Sequence, residues 1–100
     1  MILIAGHVHI APEDVSEFLA DAEATYPVAA GNPGNVLISF CPHDKAAGSI
    51  TVLEQWTSQE ALDKHLSAPE VIEIFTKWGP RMVNEVRKFD ALNERDPRDA

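Results

Sequence analysis

One hundred residues are enough for one domain with a modest core and too few for two. Sixteen acids against eight bases leave a net charge of -8, which disfavours nucleic acid and anionic membrane surfaces, since no basic field offsets phosphate charge, and suits a small neutral or cationic ligand better. The single thiol, Cys41, cannot close an internal disulfide, and the opening MILIAGHVHI is a poor signal peptide and too short for a span, so a soluble cytoplasmic protein is expected.

Residues 2 to 10 alternate with period two, Ile2, Ile4, Val8 and Ile10 on one face and Leu3, Ala5, His7 and His9 on the other, which predicts a first strand. Pro12 suits a first helical turn, Glu13 and Asp14 follow near the positive end of the dipole, and Val15, Phe18, Leu19 and Ala22 recur at helical spacing. A helix over roughly 12 to 25 is predicted. PVAAGNPGN at 27 to 35 has the glycine, asparagine and proline content of a loop with room to border a pocket.

Val36 to Cys41 reads as a second strand, 42 to 48 as a turn and 49 to 56 as a third strand, together a hairpin. Thr57 and Glu60 have capping-box spacing and start a helix whose inward stripe is Ala61, Leu62, His65 and Leu66. Pro69 interrupts it, and a new helical turn carries Val71, Ile72, Phe75 and Trp78 inward until Gly79 and Pro80 stop it. Met82 to Leu92 is the last strand candidate, so the domain spans 1–92, with a charged tail over 93–100.

Strand, helix, strand, strand, helix pair, strand is the order of a ferredoxin-like split α+β unit, one antiparallel four-stranded sheet with helices on one face. Its other face should then be polar if it meets water, yet Leu3, Ala5, Leu37, Cys41 and Leu53 fall there. A second copy covering that face is the simplest solution for so short a chain, and it leaves enclosed space between sheet and helices or between subunits.

His65, between Leu62 and Leu66, is either a pocket acid or base near neutral pH or a hydrogen-bonded core residue. Glu54 and Trp56 share one strand face. The carboxylate there is either buried with a partner such as His65 or an ordinary pair at an edge. His7 and His9 have the spacing of two metal ligands but lack an identified third, and serve equally as polar lining of a cavity. Phe40, Phe75, Trp56, Trp78 and Tyr26 can line an aromatic pocket or fill the core. Cys41 has no activating neighbour in sequence and reads as an inert thiol. Neither GxGxxG nor GxxxxGK[ST], HExxH or CxxC occurs, so no nucleotide, flavin or metal fingerprint is present.

The run VLEQWTSQEALDKHLSAPEVIEIF at 52 to 75, with its E-x-W, S-x-E-A-L, His65 and S-x-P-x-V, resembles the antibiotic biosynthesis monooxygenase family, and the resemblance extends over most of residues 1 to 89. It implies a homodimeric α+β barrel and, in enzymatic members, oxygenation of an aromatic polyketide or quinol without metal, flavin or haem. Glu54, Trp56 and His65 match the recurring motif, whereas PVAAGNPGN replaces the usual segment before the second strand. The haem-degrading branch is matched poorly, because position 7 is histidine rather than asparagine and no histidine follows Pro69. The reading is a cofactor-independent monooxygenase in which His65, oriented by Glu54, removes a phenolic proton while Trp56, His7, His9, Phe40, Phe75 and Trp78 hold the ring. Alternatives are a dimeric binding or stress-associated module and a small-metabolite isomerase.

Overall fold

The alternation of Ile2–His9 yields strand β1, one of the two inner strands of an antiparallel four-stranded sheet in the computed structural model, which describes residues 1–100. Strand β2 is Asn35–Asp44, β3 is Ser49–Trp56 and β4 is Val83–Asp90, and the order across the sheet is β2-β3-β1-β4. Helices α1 (Val15–Glu23), α2 (Tyr26–Ala30), α3 (Gln59–Leu66) and α4 (Pro69–Trp78) complete the ferredoxin-like α+β fold.

Register assigns the two faces. Ile4 lies beside Glu54 and Lys88, Val8 beside Ile50 and Asn84, and Phe40 beside Val52, so even-numbered positions of β1, β3 and β4, and of β2 between its two register shifts, face the helices. Ile50 and Val52 are buried against Val8, Phe18, Ala22 and Trp78 in one cluster, and Trp56 against Ile2, Ala29 and Leu62 in another. Completely burying aliphatic side chains of this size contributes about 1.5–3 kcal/mol each, which makes the inner strands the main source of cohesion.

Several boundaries differ from the sequence reading, each for a local reason. Strand β2 runs on through Pro42 to Asp44 because it is an edge strand, where a proline's missing N–H costs no ladder bond. The turn shrinks to a 3₁₀ segment, Lys45–Ala47, capped when Asp44 Oδ1 accepts from the Ala47 amide at 3.2 Å. Gly48 then turns the chain at φ 73°, a left-handed conformation that glycine adopts without strain. The stretch 27 to 35 is not all loop: Pro27 occupies the first turn of α2, where no amide is needed, and fully buried Ala29 packs against Trp56. The first helix is divided into a 3₁₀ turn, Pro12–Asp14, and α1. Helix α3 starts one residue later than Thr57 and Glu60 suggest, since Ser58 Oγ accepts from the Ala61 amide at 3.1 Å.

The odd-numbered face of the sheet carries no helix. Leu37 and Phe89 are exposed there, Leu3, Ala5 and Leu53 are partly so, and the His7, His9 and His43 rings lie among them. This is the mixed apolar face that the strand pattern anticipates.

Candidate active site

A cavity of about 260 Å³ lies between the sheet and helices α1, α3 and α4. Val8, Val52, Phe18, Ile74 and Met82 make it mostly apolar, while Glu54 and His65 are among its polar groups. Gly6 lies in the middle of β1, between the lining residues Ile4 and Val8. Its φ of 147° suits glycine alone, and a Cβ there would strike the Glu85 carbonyl of β4.

Glu54 enters from β3, flanked on the same face by Ile4 and Ile38. Two residues on, the fully buried Trp56 donates its indole Nε1 to Glu54 Oε1 at 3.1 Å. Burial raises the Glu54 pKa above the usual carboxylate value and the indole bond opposes that shift in part. The carboxylate is thus a cavity group and not an edge group.

His65 comes from the inward side of α3, where only Leu62 and His65 are buried. Its ring lies against that of Trp56, centroids 4.7 Å apart and tilted by 42°. Burial lowers its pKa, which favours the neutral imidazole, and its Nδ1 is buried without a hydrogen-bond partner. An unpaired buried polar atom of this kind costs about 1–3 kcal/mol. The direct Glu54–His65 pairing expected from the sequence is replaced by an indole: Trp56 binds the carboxylate through its edge and packs the imidazole against its ring.

Of the other expected site residues, Phe40 and Phe75 line the cavity. Phe40 is held by Tyr26, whose hydroxyl accepts from the Phe40 amide at 2.9 Å and whose ring stacks on it. Trp56 and Trp78 are fully buried behind the cavity wall. Trp78 is a core residue, its Nε1 donating to Asp21 Oδ2 at 2.9 Å. His7 and His9 are on the opposite sheet face. Odd register turns them from the cavity, the His7 ring stacks on that of His43 at 4.4 Å, and His9 Nε2 meets Glu85 Oε1 at 2.6 Å. Thr25, Asn84, Arg87 and Lys88 also border the cavity and were not anticipated. Alternation along β4 places Asn84 and Lys88 on the face of Val86, a signal diluted by the charge of that segment.

These features define a ferredoxin-like α+β domain with an apolar cavity that offers an imidazole and a carboxylate. Residues 1–77 match the antibiotic biosynthesis monooxygenase family, and the chain belongs to it. An uncharacterized protein of Synechocystis sp., sll1783, is 28% identical over 76 residues, which cover 76% of this chain and 52% of that protein, so the match spans about half the relative's length. Among solved structures, a candidate antibiotic biosynthesis monooxygenase of Caulobacter crescentus superimposes with a TM-score of 0.78 at 22% identity, covering 92% of this chain and 90% of that one. A Deinococcus radiodurans protein described in the same terms gives 0.81 at 14% identity, covering 96% and 97%. Rv0793 of Mycobacterium tuberculosis gives 0.79 at 18%, covering 95% and 98%. At these identities the likeness carries the fold. No helix is long and apolar enough to cross a membrane.

Proposed function

We propose that the chain is a monooxygenase that oxidises a small phenolic or quinol-type aromatic with dioxygen, as a homodimer and without metal, flavin or haem. The observation that carries this reading is the His65 imidazole lining an apolar cavity that also holds Glu54. A hydroxyl placed against the cavity side of the ring meets a neutral imidazole, the form that accepts its proton. The apolar walls disfavour spreading water over the resulting phenolate, which keeps the ring electron-rich.

One electron from the phenolate to dioxygen gives a radical pair, and recombination at a ring carbon bearing hydrogen forms a hydroperoxide. Loss of water from it leaves a quinone. One oxygen atom enters the ring, the other departs as water with the two hydrogens lost, and the substrate supplies all the electrons. Its cavity position and the Trp56 hydrogen bond support a role for Glu54 in the proton movements of these steps.

The test combines dioxygen uptake with product mass on a panel of hydroxynaphthalenes and naphthoquinols. The reading predicts uptake matched by a product one oxygen heavier and two hydrogens lighter, and a loss of about 10²-fold or more in turnover for His65→Ala. Binding with background uptake makes the protein a binding module, and a product of unchanged mass makes it an isomerase. Either result overturns the proposal.

A further inference from the structure

We infer that Lys88 anchors an anionic group of the ligand at the cavity mouth, so that the aromatic molecules this site takes are carboxylates with the hydroxyl at the far end. The inference rests on the functional reading above for the place of the hydroxyl and adds the class of molecule.

Three observations support it. Lys88, Ile4 and Glu54 form one row across the helix-facing side of the sheet, on β4, β1 and β3. Strands lie about 4.8 Å apart, so the Lys88 and Glu54 backbones are roughly 10 Å apart and the ammonium and the carboxyl enter the cavity from strands on either side of β1. Both side chains border the same cavity.

The Lys88 ammonium has no carboxylate partner. The ion pairs of the chain use Lys77, Arg81, Arg98 and His9, whereas Lys88 Nζ donates to Gln59 Oε1 at 2.8 Å and Arg87 donates to the Val86 carbonyl at 2.9 Å. Gln59 is itself fixed by Asp63, its Nε2 donating to Oδ1 at 2.7 Å. This strut holds the ammonium across the gap between β4 and α3 and leaves its other donors free. A carboxylate there gains a charge-assisted hydrogen bond.

The net charge of -8 argues for neutral or cationic ligands only at long range. Screening confines such a field to about 8 Å at physiological ionic strength, so at the mouth a ligand meets the Lys88 ammonium at contact distance. The cavity volume, about 260 Å³, suits a small aromatic acid.

The test measures binding of 6-hydroxy-2-naphthoate and its methyl ester, which differ in charge at one end, by titration calorimetry and ligand fluorescence. Wild-type protein is expected to prefer the acid by about tenfold or more. Lys88→Met should abolish that preference and Lys88→Arg keep most of it, with thermal melts confirming that both variants fold. Equal affinity for acid and ester, a preference that survives Lys88→Met, or no binding of either probe at millimolar concentration overturns the anchor. Dioxygen uptake recorded in parallel separates the two proposals: acid-selective binding without uptake removes the monooxygenase and keeps the anchor, and uptake with equal selectivity does the reverse.

Discussion

His65 and Glu54 are pushed in opposite directions by the same cause. Burial disfavours charge, so the imidazole loses its proton at a pH below the ordinary 6.5 and the carboxyl keeps its proton above the ordinary 4.5. If His65 is the base, the acid limb of the kcat/KM profile falls below 6.5, and it disappears into the background rate in His65→Ala; a limb unmoved by that substitution assigns it to another group. Stability follows with opposite signs. For His65 the unfolded chain holds more protons between the lowered native value and 6.5, so stability is lost as pH falls through that window. For Glu54 the native chain holds more protons above 4.5, so stability is lost as pH rises toward the raised native value. Glu54→Gln removes the second slope while its amide oxygen still accepts from Trp56, and urea denaturation at pH 7 should find it more stable than wild type. A less stable Glu54→Gln protein would show that the ionised carboxylate is held by something stronger than the indole. The motif made Glu54, Trp56 and His65 legible in the sequence. The bridging role of Trp56 was not legible, because period-two spacing puts Glu54 and Trp56 on one face without saying that the indole edge turns back to the carboxylate.

Between elements, α1 and α4 are joined by a polar clasp outside the cavity. Asp21 Oδ2 accepts from Lys77 Nζ at 2.7 Å and Trp78 Nε1 at 2.9 Å, Lys77 also reaches Glu17 at 3.0 Å, and Arg81 both pairs with Asp14 at 2.8 Å and lies over the Trp78 ring. The Lys77 ammonium, and after it the Trp78 indole, hold the Asp21 carboxyl below its usual range. The contribution of the clasp is therefore present at neutral pH and lost as pH falls through that depressed value. Asp21→Ala leaves the N–H of a fully buried indole without an acceptor, which costs about 1–3 kcal/mol and lowers Tm by about 4–8 °C per kcal/mol in a domain of this size. Asp21→Asn, which keeps an acceptor oxygen, should lose less, and differential scanning calorimetry of the pair checks the ranking. Apolar periodicity located α1 and α4 but could not disclose this clasp, which joins residues 56 and 57 positions apart in the chain. Local pattern likewise hid α2, whose Pro27 and Gly31 read as loop residues until the burial of Ala29 against Trp56 favours a helical turn.

For the molecule as a whole, the strand alternation reveals both the face that the helices cover and the face they leave, and the second is too apolar to be an ordinary wet surface. Leu3, Ala5, Leu37, Leu53 and Phe89 share it with His7, His9, His43 and Glu85. In an isologous pair each copy presents this same patch to the other, so a charge placed near the two-fold axis meets its own image. Leu53 is on β3, an inner strand, beside Ala5 and Ser39, where a long cation cannot reach the sheet edge easily. Leu53→Lys therefore adds repulsion and removes apolar contact at once, without touching the even-numbered cavity residues. Association also links stability to concentration, because a partner that binds only the folded chain raises Tm by mass action. Sedimentation velocity at micromolar concentration should find wild type as a dimer and Leu53→Lys as a monomer, and only the wild-type Tm should rise as protein is concentrated. A wild-type chain that sediments as a monomer with a concentration-independent Tm would mean that this face is stable in water, and the homodimer would have to be abandoned while the cavity chemistry, which draws on one copy's residues, would still stand to be tested.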